Sequence, residues 1–176
     1  MLYLKCTGEA QKAIGLRKTD LVEAQAVTAP LGNWYVHRFP IGRTKFFLFM
    51  SESNLLSFVL YQGKKPVTVQ TLPNMLMAGL TQLLAMKGFE PARIDRALQA
   101  YQTGLFAKTD SRKLLGCMND LVWCYTAAVE FEGGLDSCNL TDIIMKMNDM
   151  PQRTLDGRAS WDLVEVVLRH ERDSVL

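Results

Sequence analysis

Two periodicities divide the chain. In residues 1–7, Leu2, Leu4 and Cys6 alternate with Tyr3 and Lys5, the pattern of a short half-buried strand. Residues 9–16 read as a short helix with Thr7 as its cap. Residues 17–31 are weakly patterned and end near Pro30 and Gly32, which predicts a loop with at most one helical turn. Residues 32–39 are rich in aromatic and β-branched types and read as a strand. Pro40 to Arg43 is a turn signal. Residues 44–50 are almost wholly apolar after Lys45, as in a strand covered on both faces. A second turn at 51–54 leads to a third strand at 55–61, and the short connections predict an antiparallel meander.

After Thr71 the period becomes helical. Residues 72–88 carry Pro73 at the start and Gly88 at the end, the expected asymmetry. A second helix follows over 92–101, and residues 105–108 read as one more strand. The strongest helix spans 111–131. Leu114, Leu115, Met118, Leu121, Val122, Tyr125, Ala128 and Val129 fall within an arc of about 140°. Arg112, Gly116, Asn119 and Trp123 form a second stripe opposite, which predicts a second packing face with a neighbour close against Gly116. Asn139 caps a helix running through Met147, and Ser160 caps a last one carrying Trp161, Val164, Val167 and Leu168.

The expected fold is α+β, an antiparallel sheet of four to five strands with helices packed on one face. Residues 1–131 are the expected main domain and 132–176 a helical C-terminal extension packed on it. The 176 residues suffice to bury a core unaided. No apolar run is long enough for a membrane span, and the N-terminus lacks a signal-peptide pattern, so the expected location is cytoplasmic, with no membrane partner. Cys6, Cys117, Cys124 and Cys138 form no zinc spacing, and only His37 and His170 could join them. Neither a metal nor an organic cofactor is expected.

Charge changes the picture more than composition does. Residues 1–115 hold fifteen Lys and Arg against seven Asp and Glu, whereas residues 116–176 hold five against eleven. The split suggests either a basic surface for an anionic partner or an acidic C-terminal part folded back on a basic one.

No P-loop, dinucleotide fingerprint, zinc-protease or nucleophile-elbow motif occurs. Two segments are distinctive. One is Leu31-Gly32-Asn33-Trp34, followed by Arg43-x-Lys45 and Phe47-Leu48-Phe49. The other is Arg112-x-x-Leu115-Gly116-x-Met118-Asn119-Asp120. Together they resemble a bacterial domain family of unknown function, found in small cytosolic proteins and often near mobile elements. Its pattern is approximately L-G-x-W, then R-x-K-x-x-L-F, then N-R-x-x-L-G-x-M-N-D. Ser111 stands where the pattern has Asn, and Tyr35 follows the Trp where His is common. The resemblance covers roughly residues 1–130 and implies a fold without an activity.

Physically, the second motif is a strand entering a helix, with Asp110 or Ser111 as cap and Arg112 and Lys113 in the first turn. Cations there oppose the helix dipole and call for a counter-anion, either a neighbouring carboxylate or a ligand phosphate. Asn119 and Asp120 are poor helix formers that suit a polar network, with Asp120 reaching Lys45 or Arg43. His37 is an acid/base candidate or a packing residue. The nine methionines, among them Met145, Met147 and Met150, are core filler or an adaptable contact surface.

Three functional readings follow. The preferred one is a non-enzymatic binding or regulatory protein, expected as a homodimer. Its basic patch would include Arg43, Lys45, Lys64, Lys65, Lys108, Arg112 and Lys113 and would face an anionic ligand or nucleic acid. Trp34, Asn119 and Asp120 complete the candidate ligand-binding set. The second reading is a small enzyme acting on phosphate-containing or nucleotide substrates, using Asp120 with Lys45 and Arg112. The third is a structural dimerisation module.

Overall fold

The computed structural model describes residues 1–26 and 28–170. Residues 171–176 of the expected C-terminal segment lie outside the described residues. Five strands form one sheet: β1 (Leu2–Cys6), β2 (Trp34–Ile41), β3 (Thr44–Ser51), β4 (Ser57–Tyr61) and β5 (Gly104–Ala107). The helices are α1 (Gly8–Ile14), α2 (Leu72–Lys87), α3 (Pro91–Gln99), α4 (Arg112–Phe131), α5 (Leu140–Met147) and α6 (Ser160–His170).

The strand order is β4-β3-β2-β1-β5. The expected meander is present as β2, β3 and β4, paired antiparallel. The sheet as a whole is mixed, because β1 runs parallel to both β2 and β5. The reason is connection length. A parallel neighbour needs a crossover, and the long stretches before β2 and before β5 supply them through α1 and through α2 and α3.

Helices cover both faces of the sheet rather than one. On the first face, Leu2, Leu4, Trp34, Val36, Phe47, Phe49 and Phe58 pack with α1, α2, α3 and α6. On the second, Tyr35, Phe39, Phe46, Leu48, Met50 and Val59 pack with α4 and α5. Alternation along β3 divides its apolar side chains between the two layers. The same double coverage buries all of β1, including Tyr3 and Lys5, so β1 is not the half-buried strand its alternation predicts. The helices after residue 131 join these layers, with Ile143 and Met147 on the second face and Trp161, Val164 and Leu168 on the first.

Two local devices hold the loops. Gly32 adopts φ +78, and a Cβ there would lie 2.1 Å from the Ser53 hydroxyl, so the glycine of the L-G-x-W segment is demanded by its turn. At the sheet edge, the Asn148 side chain imitates a neighbouring strand. Its Oδ1 accepts from the Ser57 amide at 2.9 Å, and its Nδ2 donates to the Ser57 carbonyl at 2.7 Å. This blunts one end of the β4 edge. Asn148→Ala strands both backbone groups in a buried setting and is expected to cost about 1–3 kcal/mol. Urea denaturation checks this, and an unchanged midpoint would contradict it.

Candidate functional site

The residues opposite one another across the sheet are Lys5, Tyr35, Met50 and Ser57. Helix α4 begins over one end of this row and passes over the other. At the start, the segment preceding α4 lies on Lys5 and Tyr35. Lys5 Nζ donates to Glu52 Oε2 at 2.6 Å and to Asp110 Oδ2 at 2.8 Å. The Tyr35 hydroxyl donates to Asp110 Oδ1 and accepts from the Asp110 amide at 3.3 Å. Ser111 caps the helix by accepting from the Leu114 amide. Further along, the Tyr125 hydroxyl meets the Ser57 hydroxyl at 2.9 Å.

The Lys5 and Glu52 side chains are 6% and 13% exposed, while Asp110 is 57% exposed. Burial alone would lower the Lys5 pKa, but the two carboxylates outweigh it and hold it above the usual lysine value. Burial would raise Asp110, but the Lys5 ammonium and the Tyr35 hydroxyl hold its carboxyl below the ordinary 3.8. Burial, then the bond to Asp110, push the Tyr35 phenol up to about 12. Lys5 and Asp110 therefore stay charged across physiological pH, and the atoms of the cluster are already engaged with one another.

The residues singled out from sequence occupy separate places. Trp34 is buried in the first-face layer, where its Nε1 donates to the Tyr101 hydroxyl at 3.0 Å, away from α4. Arg43 and Lys45 are exposed at the tip of the β2–β3 hairpin. Lys45 stands opposite Pro40, five residues along the strands from Tyr35, a distance of roughly 17 Å. Lys108, Arg112, Lys113, Asn119 and Asp120 are exposed on α4 and the segment before it.

Among the described residues, Arg112 and Lys113 form no ion pair, and Asp120 pairs with none of Lys45, Arg43 and Arg112. Asp110, two residues ahead of Arg112, is taken by Lys5. Asp120 instead lines a small cavity with Cys117, Cys124, Gln152 and Arg153. Nothing lies within 4 Å of a Cβ at Gly116, so among the described residues the expected close neighbour of the second stripe of α4 is absent at that position. The stripe faces solvent, and Trp123 on it is 72% exposed.

His37 is half-buried, bonded through Nδ1 to the Thr7 hydroxyl at 2.8 Å and stacked on Phe39. Burial holds its pKa below the ordinary value. Among the described residues no group of three or more His, Cys, Asp and Glu is placed to hold a metal ion, and no helix is long and apolar enough to cross a membrane.

The geometry of α4 makes its motif legible as a unit. Arg112, Gly116, Asn119 and Asp120 look outward, while Leu115 and Met118 pack inward. The chain belongs to a family described as a domain of unknown function, DUF6933. The match covers residues 3–162 and so takes in both distinctive segments, α5 and the first residues of α6. No curated protein matches the chain. The family's description names no activity, which leaves the chemistry to the residues.

The residues that sequence reasoning missed are Lys5, Glu52 and Tyr35. The only signal was a lysine in an otherwise apolar five-residue strand. Asp110→Asn removes one of the two charged partners of Lys5 and is expected to destabilise at neutral pH. Because the folded-state pKa of Asp110 is lowered, the native carboxylate adds stability above its unfolded value near 3.8 and loses it as pH falls through the folded value. The gap between wild type and variant should therefore close below pH 3.8, as denaturant titrations at successive pH values would show. A gap independent of pH would contradict the assignment.

Proposed function

We propose that this protein is a non-enzymatic cytoplasmic binding protein that presents the outward stripe of α4, with the cations at its leading end, to an anionic partner. The observation that carries the reading is the unused surface of α4. Among the described residues, Arg112 and Asn119 form no hydrogen bond or ion pair through their side chains and nothing crowds Gly116, and they share the exposed side of the helix with Trp123. Lys108 and Lys113 add two exposed cations. The positive end of the helix dipole reinforces them. A large aromatic exposed on a polar helix face is a feature of contact surfaces. The four cysteines are unpaired, which suits a reducing compartment.

The reading favours binding over catalysis because the polar groups that do converge, Lys5, Glu52, Asp110 and Tyr35, are occupied with one another. Trp34 and Arg43 act elsewhere in this reading: the first in the core, the second as a peripheral cation with Lys45.

Trp123 is a built-in reporter, since Trp34 and Trp161 are buried. Titration of the chain, diluted to the monomer, with two polyanions, polyglutamate and a single-stranded oligonucleotide, is expected to shift its emission to the blue. The effect should weaken steeply with salt and vanish in Arg112→Glu/Lys113→Glu. Emission unmoved by either probe, or a response untouched by the charge reversal, would overturn the reading.

A further inference from the structure

We infer that the partner of this surface is a second copy of the chain, docked through an antiparallel α4–α4 contact in which the acidic trailing end of one α4 serves as the anion for the basic leading end of the other. The inference rests on the proposed binding role of that stripe and names its occupant. Arg112, Gly116, Asn119, Trp123, Thr126 and Glu130 recur at spacings of four and three, the repeat that lines one face of a helix against a partner helix. This stripe is opposite the core residues Met118, Leu121, Tyr125 and Val129.

Charge complementarity selects the antiparallel orientation. The leading end of α4 carries Arg112 and Lys113, with Lys108 in the segment before it, and the trailing end carries Glu130, with Glu132 just after it accepting from the Asn139 amide. There is no acidic residue in the first turn and no basic residue in the last. Within one chain both ends thus oppose the helix dipole. An antiparallel copy sets each basic end against the other's acidic end, twice, with the two dipoles opposed. A parallel copy would set like against like.

Shape agrees with charge. Gly116 and Trp123 are equidistant from a two-fold axis passing between Asn119 and Asp120, so each tryptophan lies over the other copy's glycine. The φ of Gly116 is not positive, and nothing crowds it, so the chain alone gives it no reason to be glycine. In the pair, its missing side chain is the notch for the indole. Such an isologous contact is the commonest way for a chain to self-associate. Asp120 lies on one flank of the stripe and meets its own copy near the axis, a like-charge contact at the solvent edge.

Sedimentation of the purified chain over a wide concentration range tests this. The expected result is a dimer whose dissociation constant rises by about tenfold or more in Trp123→Ala and in Gly116→Leu. Gly116→Leu should melt no lower than wild type, because it improves helix propensity at an open position. Arg112→Glu and Glu130→Arg should each weaken the dimer, and together restore it. Asp120→Asn should tighten it.

A chain that stays monomeric while Trp123 still responds to polyanions would overturn the second copy and leave the binding role standing. A dimer indifferent to Gly116→Leu and Trp123→Ala, or a charge swap without recovery, would also overturn it. A monomer with no polyanion response would remove both.

Discussion

A buried ammonium is costly unless carboxylates meet it, and the placement of α4 turns on one such ion. Lys5 lies within β1, covered on both faces of the sheet. Its two anions come from elements far apart in sequence, Glu52 after β3 and Asp110 before α4. Meeting the charge therefore fixes three segments at once. Tyr35 adds a second tether to Asp110 from the neighbouring strand. Because Asp110 is one residue from the Ser111 cap, the tether sets where the helix begins.

The other end of α4 is fixed by a different kind of contact. Tyr125 is fully buried, and its hydroxyl meets Ser57, whose backbone is in turn paired by Asn148. The helix is held across one row of the sheet by an ionic anchor at its start and a neutral polar anchor further along. Met118 and Leu121 between them, and Val129 one turn beyond Tyr125, supply apolar burial. Fixing the inner side of a helix this firmly also fixes what its outer side shows. Arg112, Gly116, Asn119 and Trp123 form a rigid stripe, and binding to it would require little ordering of the protein.

Much of the local structure is legible in the sequence. The three-strand meander, the Thr7, Ser111 and Asn139 caps and the extent of α4 follow from short-range patterning. The sheet's mixed character is less legible, because the β1–β2 and β1–β5 pairings depend on crossovers rather than turns. The unbroken apolar run of β3 signals cover on both faces, whereas the expectation of helices on one face contradicts it. The local signal is the correct one. At the candidate site, Arg112, Gly116, Asn119 and Trp123 are recognisable as a second stripe, but periodicity cannot say whether its neighbour is in the same chain. Lys5 is the least legible residue. Alone on a short strand it reads as solvent-facing, and its partners are 47 and 105 positions away.

Hydrogen exchange on Lys5→Met tests the anchoring most directly. The substitution keeps an apolar stem in the core and removes the charge, leaving Glu52 and Asp110 without their shared cation. The account predicts faster exchange at the amides of Leu114 and Leu115 in the first turn of α4, with little change near Tyr125, where the Ser57 and Asn148 contacts remain. Unchanged protection in the first turn, or loosening spread evenly along α4, would contradict it.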